Sequence, residues 1–141
     1  MDTLVSTDWL ESHLGEADVA VVDASAFLPT DGRDPDGEFL DAHIPGARFL
    51  DINVVADRTN PAPHMLPSAT EFGRAMTELG VGSGDRIIVY DNSPLRTAAR
   101  GWFMFRHLGA EQVAILDGGF QKWRGEGRPI ERGEARPRNA R

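Results

Sequence analysis

The sequence predicts a small α/β domain, with a mostly parallel central sheet flanked by helices on both faces. Three observations lead there. Three short apolar runs, at residues 19–22, 87–89 and 113–116, lack polar alternation. Strands covered on both faces read this way. Stretches with a helical period separate these runs, as crossover connections in a parallel sheet do. Glycines at 15, 80 and 109 stand where those helical stretches stop, the position that favours a residue able to turn left-handed. At 141 residues without internal repeats, the chain is long enough for one domain with its own core.

The elements follow in order. Residues 5–14 read as a short helix. Ser6 or Thr7 caps it, Asp8 lies in its positive first turn, and Trp9, Leu10 and Leu14 face the core. Residues 19–22 form a buried strand with Asp23 at its tip. Residues 29–37, with Pro29, Gly32, Pro35 and Gly37, read as loop, and residues 38–42 as one helical turn. His43-Ile-Pro-Gly-Ala47 is a tight turn, Pro45 setting its first corner and Gly46 supplying a positive φ. Residues 48–50 form a second short strand, and residues 51–67 a long Pro-rich connection. Ser68-Ala-Thr-Glu71 is a capping box. The helix it opens buries Phe72, Met76 and Leu79. The strand around Ile87, a polar turn at Asn92, Ser93 and Pro94, and a helix from Leu95 to about Leu108 come next. Residues 112–116 are the last buried strand, and the turn after it leads into a helix carrying Phe120 and Trp123. Residues 1–127 make the domain. Residues 128–141, rich in arginine, glycine and proline, read as a solvated linker or tail.

Composition excludes several functions. The net charge of -7 disfavours nucleic acid and anionic membrane as partners. With no cysteine there is no disulfide, no thiolate metal site and no cysteine nucleophile in this chain. No metal or cofactor site is expected. No apolar run approaches the roughly 20 residues of a membrane span, and no leader is visible after Met1. A cytoplasmic location is the default expectation. Gly80-Val-Gly-Ser-Gly84 precedes its strand and so does not make a nucleotide-binding loop. Asp23 and Asp91 at two strand tips invite comparison with a phosphoacceptor domain. The first strand lacks a second acid, however, and Lys122 lies within a helix.

In open α/β sheets ligands bind beyond the carboxyl ends of the strands, which points to Asp91 and the turn after it. The motifs Val-Val-Asp23, His43-Ile-Pro-Gly-Ala47, Ile-Val-Tyr-Asp91 and Leu116-Asp-Gly-Gly-Phe-Gln-Lys-Trp123 occur in that order. Together they resemble the rhodanese-like sulfurtransferases over residues 5–130. The stretch Asp57-Arg-Thr-Asn-Pro-Ala-Pro-His-Met-Leu-Pro67 looks like the N-terminal domain of two-domain thiosulfate or 3-mercaptopyruvate sulfurtransferases.

That resemblance implies a rhodanese-like fold and sulfane-sulfur transfer to a thiophilic acceptor such as cyanide or a thiol. Active domains of the family carry their nucleophilic cysteine where Asp91 stands here. Loop amides and a helix N-terminus would cradle that thiolate and depress its pKa. A carboxylate suits such a cradle but cannot hold a persulfide. This chain alone is therefore expected to be inactive, walling the cleft of a C-terminal catalytic rhodanese domain absent here. The resemblance places His64 near the substrate, as a helper to that partner domain oriented by Asp51 or Asp57. Asn53 stands where related sequences often carry an acid. Arg58, Arg96 and Arg100 are expected to bind the small anionic sulfur donor. An apolar docking face gives the isolated chain a route to a homodimer.

Plainer roles compete with these. Asp91 can simply cap the following helix, His64 can be a surface residue, and Arg100 can form a buried salt bridge. His43 reads as structural, and His13 and His107 as solvated. The alternative for the whole chain is a stand-alone inactive rhodanese module that binds a partner protein or an anion.

Overall fold

The computed structural model describes residues 3–26, 32–50, 69–82, 84–92, 97–107 and 109–135, with Ala69 and Glu71 described by their backbone only. Five strands, β1 (Leu4–Val5), β2 (Val19–Asp23), β3 (Arg48–Phe49), β4 (Arg86–Tyr90) and β5 (Val113–Leu116), form one sheet in the order β1-β5-β4-β2-β3. All of its pairings are parallel. The helices are α1 (Thr7–His13), α2 (Pro35–Asp41), α3 (Ala69–Leu79), α4 (Ala98–His107) and α5 (Gly119–Gly125).

Side chains alternate across the central strands, so each face has its own core. Ala20 and Val22 of β2 and Ile87 and Val89 of β4 pack with Phe72 and Met76 of α3 and with Met104 and Phe105 of α4. Val19, Val21, Ile88 and Tyr90 point the other way, toward Leu10 of α1, Phe39 of α2, and Phe120 and Trp123 of α5. The expected helix-covered α/β sheet is thus present, fully parallel rather than mostly so.

Local chemistry sets the helix ends. The Ser6 hydroxyl accepts the Trp9 amide at 3.0 Å and caps α1. α3 closes with Gly80 at φ 78. There the Val81 amide donates to the Met76 carbonyl at 2.9 Å and the Gly80 amide to the Thr77 carbonyl at 3.1 Å. This pair of bonds satisfies two of the last orphan carbonyls.

Three local expectations need correction. Pro35, Asp36 and Gly37 are not loop: they begin α2, with Pro35 in its first turn and Asp36 and Glu38 as first-turn acids. Proline at N1 has no donor to waste, and acids there meet the helix dipole. Val5, expected to open the first helix, instead forms an edge strand on β5 together with Leu4. His13 is not freely solvated: it stacks on Trp9 at 4.0 Å between ring centroids and donates through Nδ1 to the Trp9 carbonyl. Ser68 and the Glu71 side chain, on which the expected capping box rests, and the connection at residues 51–67 lie outside the described residues.

Residues 128–135, expected as the start of a solvated linker, lie against the domain. Ile130 and Ala135 pack on the second core. The Trp123 indole donates to the Pro129 carbonyl at 2.7 Å. Arg128 pairs with Asp8, Glu11 and Glu126 at 2.8, 2.9 and 2.9 Å.

Candidate functional site

The strand order places the site. From β2 the chain passes to β3 on one side through α2; from β4 it passes to β5 on the other side through α4. The connections diverge between β2 and β4, and a crevice opens beyond the carboxyl ends of such strands. Asp23 ends β2, and Asp91 follows β4. Both acids are buried, at 5% and 7% exposure.

Asp91 binds local structure at two atoms. Its carboxylate Oδ2 accepts the Ala98 amide at 2.7 Å, at the first residue of α4. Its carbonyl accepts the Phe120 amide at 2.9 Å, at the start of α5. One residue thus ties the N-termini of two helices to the tip of β4. The helix-capping role expected for Asp91 is present, and the carboxylate occupies the positive end of α4, where an anion is favoured. Gly118 and Gly119, with φ of 85 and 64, let α5 begin close to this point.

Asp23 sits in a second polar turn. Its Oδ1 accepts both the Ser25 amide at 2.8 Å and the Ser25 hydroxyl at 2.6 Å, a turn that short polar side chains favour. The Ser25 oxygen in turn accepts the Asn92 amide at 2.8 Å. The Ala24 amide donates to the Tyr90 carbonyl, and the Ala26 amide to the Thr97 hydroxyl at 3.1 Å. The backbones leaving β2 and β4 are therefore stitched together. Burial pushes the Asp23 carboxyl up to about 6; the Ser25 hydroxyl and amide pull it partly back, and the charges of Asp91 and Glu38 add to the rise. Burial likewise holds the Tyr90 phenol well above its ordinary value, with the Asp23 charge acting in the same direction. Arg33 pairs with Glu38 at 2.7 Å and donates to the Asn92 carbonyl at 3.1 Å, fastening the α2 region to the same turn.

Of the residues expected to act, Asp91 stands at the switch point. Arg100 lies half-buried in the first turn of α4. The salt bridge expected for it does not form among the described residues. Arg58, His64 and Arg96, with Asp51, Asn53 and Asp57, lie outside the described residues. His43 is fully buried, as a structural residue should be. It stacks on Phe39 at 4.1 Å, donates through Nδ1 to the Phe39 carbonyl at 2.8 Å, and holds Nε2 3.3 Å from Glu131. Sequence reasoning missed Ser25, whose signal is the Asp-x-Ser turn directly after an apolar strand. It placed Asp23 at a strand tip, within the Val-Val-Asp23 motif and as half of a phosphoacceptor pair, but gave it no part in the site beyond that. No group of three or more His, Asp or Glu side chains able to hold a metal is present among the described residues.

A family model for the rhodanese-like domain matches residues 6–126. The thiosulfate/3-mercaptopyruvate sulfurtransferase 2 of Arabidopsis thaliana is 46% identical over 130 residues, covering 92% of this chain and 38% of that protein. The 3-mercaptopyruvate sulfurtransferase of Escherichia coli K12 is 42% identical over 130 residues, covering 92% of this chain and 46% of that protein. The match falls on the N-terminal part of these relatives, and the chain spans less than half of their length. Among solved structures, SseA from Escherichia coli, a 3-mercaptopyruvate sulfotransferase, superposes with a TM-score of 0.93 at 38% identity, over all of this chain and 54% of that one. Tum1 from Saccharomyces cerevisiae superposes with a TM-score of 0.82 at 26% identity, over 99% of this chain and 49% of that one.

Proposed function

Because the chain belongs to the rhodanese family, we propose that it is the non-catalytic N-terminal domain of a two-domain thiosulfate or 3-mercaptopyruvate sulfurtransferase. Its role is to wall the cleft in which a partner domain's cysteine carries the sulfur. The observation that carries this reading is Asp91. A carboxylate sits at the tip of β4 and the N-terminus of α4, the position to which the family resemblance assigns an active domain's thiolate, and it accepts the Ala98 amide there. Sulfane transfer needs a nucleophile that can bond to sulfur and release it again, and a carboxylate does neither usefully. Asp23 and Asp91 also put two buried acids at the crevice, which repels an anionic donor. Within the two-domain enzyme, Arg58, Arg96 and Arg100 supply positive charge toward the donor, and His64 donates a hydrogen bond or relays a proton from the cleft wall. A cytoplasmic location goes with this reading. No helix among the described residues is long and apolar enough to cross a membrane.

The purified chain is expected to show no thiosulfate:cyanide or 3-mercaptopyruvate:cyanide turnover above the uncatalysed rate. Turnover clearly above that rate overturns the reading. The cradle is tested separately by Asp91→Cys. Its thiol should be alkylated with a pH midpoint below the free-cysteine value of about 8.5, since a helix N-terminus favours the thiolate. A midpoint at or above that value counts against an anion cradle while leaving the inactivity of the natural chain unaffected.

A further inference from the structure

We infer that Asp23, Ser25 and Asn92 form a proton-operated joint between the ends of β2 and β4, in which the Asp23 proton decides how the first amide after Asp91 is held. This holds whether or not the chain takes part in sulfur transfer.

The geometry is a continuous chain of donors. The Asn92 amide donates to the Ser25 oxygen at 2.8 Å, and the Ser25 hydroxyl donates to Asp23 Oδ1 at 2.6 Å. The same Oδ1 accepts the Ser25 amide at 2.8 Å. Ser25 therefore has one hydroxyl proton, committed to Asp23, and offers its lone pair to Asn92. Ser25 is 3% exposed and Asp23 is 5% exposed, so water does not readily substitute for either partner. An ionised Asp23 pulls the hydroxyl hard and polarises the link to Asn92, since charge-assisted bonds are the stronger ones. A protonated Asp23 weakens both links.

The surrounding groups decide where the change falls. Asp91 follows the tip of neighbouring β4, Tyr90 of β4 lies across from Asp23 in register, and Glu38 of α2 carries its own Arg33 partner. Arg48 of β3 is one register position away, opposite Val22. Burial keeps the Tyr90 phenol neutral through this range, and arginine side chains in general stay charged. Asp91 and Glu38 are the like charges that act on Asp23, and burial acts with them to place its titration near 6 rather than near 4. Acidification through this range removes one negative charge from the crevice and loosens the Asn92 link.

The experiment follows backbone amides of the isotope-labelled chain by NMR from pH 4 to 8. The Asn92 and Ser25 amides are expected to titrate together, with a midpoint near 6. In Asp23→Asn, whose amide oxygen still accepts both Ser25 donors, the Asn92 titration should vanish. In Ser25→Ala it should vanish as well, while the Asp23 carboxyl, followed by its carbon shift, titrates at higher pH. Asp91→Asn should shift the midpoint downward. An Asn92 amide that is flat through this range in the natural chain, or that titrates unchanged in Asp23→Asn, overturns the proposal. Should Asp23→Asn not fold, an unchanged Asn92 response in Ser25→Ala overturns it equally.

Stability gives a second readout. A carboxyl whose folded pKa is raised from 3.8 to about 6 binds its proton more tightly when folded. Its stabilising contribution is complete below the unfolded value and is lost as pH rises through the folded one. The folded-to-unfolded ratio of Asp23→Asn relative to the natural chain should therefore rise by on the order of a hundredfold between pH 4 and pH 7. A constant ratio across that window contradicts a proton held by Asp23.

Discussion

Replacing Trp123 by alanine is expected to lower the stability of the folded domain by about 3–5 kcal/mol, the range for emptying a fully buried indole site. Trp123 is 0% exposed and is one of the largest side chains in the second core, beside Leu10, Tyr90 and Phe120. A domain of this size has about 5–15 kcal/mol in all, so the loss is a large part of the total. Two further effects add to the cavity. The indole N–H donates to the Pro129 carbonyl at 2.7 Å, and the Arg128 guanidinium lies 5.9 Å from the ring centroid. Losing the ring thus also releases residues 128–135, whose Arg128 pairs with α1 and the end of α5. Trp123→Phe keeps most of the apolar volume but leaves the Pro129 carbonyl without its donor, at a cost nearer 1–2 kcal/mol. Urea unfolding should rank natural chain, Trp123→Phe, Trp123→Ala in falling order of midpoint. An alanine variant within about 1 kcal/mol of the natural chain would show that the ring is not central to the core.

What the sequence made legible follows from how far each signal reaches. The runs containing Val22, Ile88 and Leu116 are local and strong, so the central strands and the parallel fold were visible. Asp91 was visible because an apolar strand that ends in a polar turn is a local pattern, and ligands bind beyond the carboxyl ends of such strands; the switch point itself needed the strand order. Leu4 and Val5 were not read as a strand, because two residues carry no period and only β5 gives them a partner. Pro35 and Gly37 read as breakers, yet a proline is well placed at N1 and the acids after it meet the dipole. Arg128 looked solvated among alternating charges. Its partners Asp8 and Glu11 lie 120 and 117 residues away in sequence, beyond the reach of any local pattern. The same holds for the site. The Asp23–Ser25 turn is local, but its link to Asn92 spans 67 residues. Nothing in residues 23–25 alone shows that the two strand tips are stitched together.

Gly119→Ala is expected to strike the site itself. Gly119 sits at φ 64, a left-handed conformation that costs an L-residue about 1–2 kcal/mol. Space is the second obstacle. A methyl there would lie 2.8 Å from the Asp91 carbonyl oxygen and 3.2 Å from Gln121 Oε1. The glutamine can move, since its side chain is long and α5 is at the surface. The Asp91 carbonyl cannot retreat cheaply, because it accepts the Phe120 amide at 2.9 Å and its own residue holds the Ala98 amide through the carboxylate. Relief must therefore come from moving the start of α5 away from β4, which strains the burial of Phe120, or from tilting the Asp91 peptide, which misplaces the cap on α4. The total should exceed the conformational cost alone and reach about 2–4 kcal/mol. The two routes are distinguishable. If α5 moves, the amide of Phe120 loses hydrogen-exchange protection while Ala98 keeps it. If the Asp91 peptide tilts, Ala98 loses protection as well, and Asp91→Cys made on the Gly119→Ala background should have a less depressed thiol pKa than Asp91→Cys alone. Gly101→Ala is the control on the other side of the sheet. Its added methyl meets only side chains, Ala24 Cβ at 3.0 Å and Val89 Cγ1 at 3.1 Å, with no left-handed backbone, so it should cost less and leave both amides protected. A Gly119→Ala chain as stable as the natural one would mean that α5 does not close against the Asp91 carbonyl.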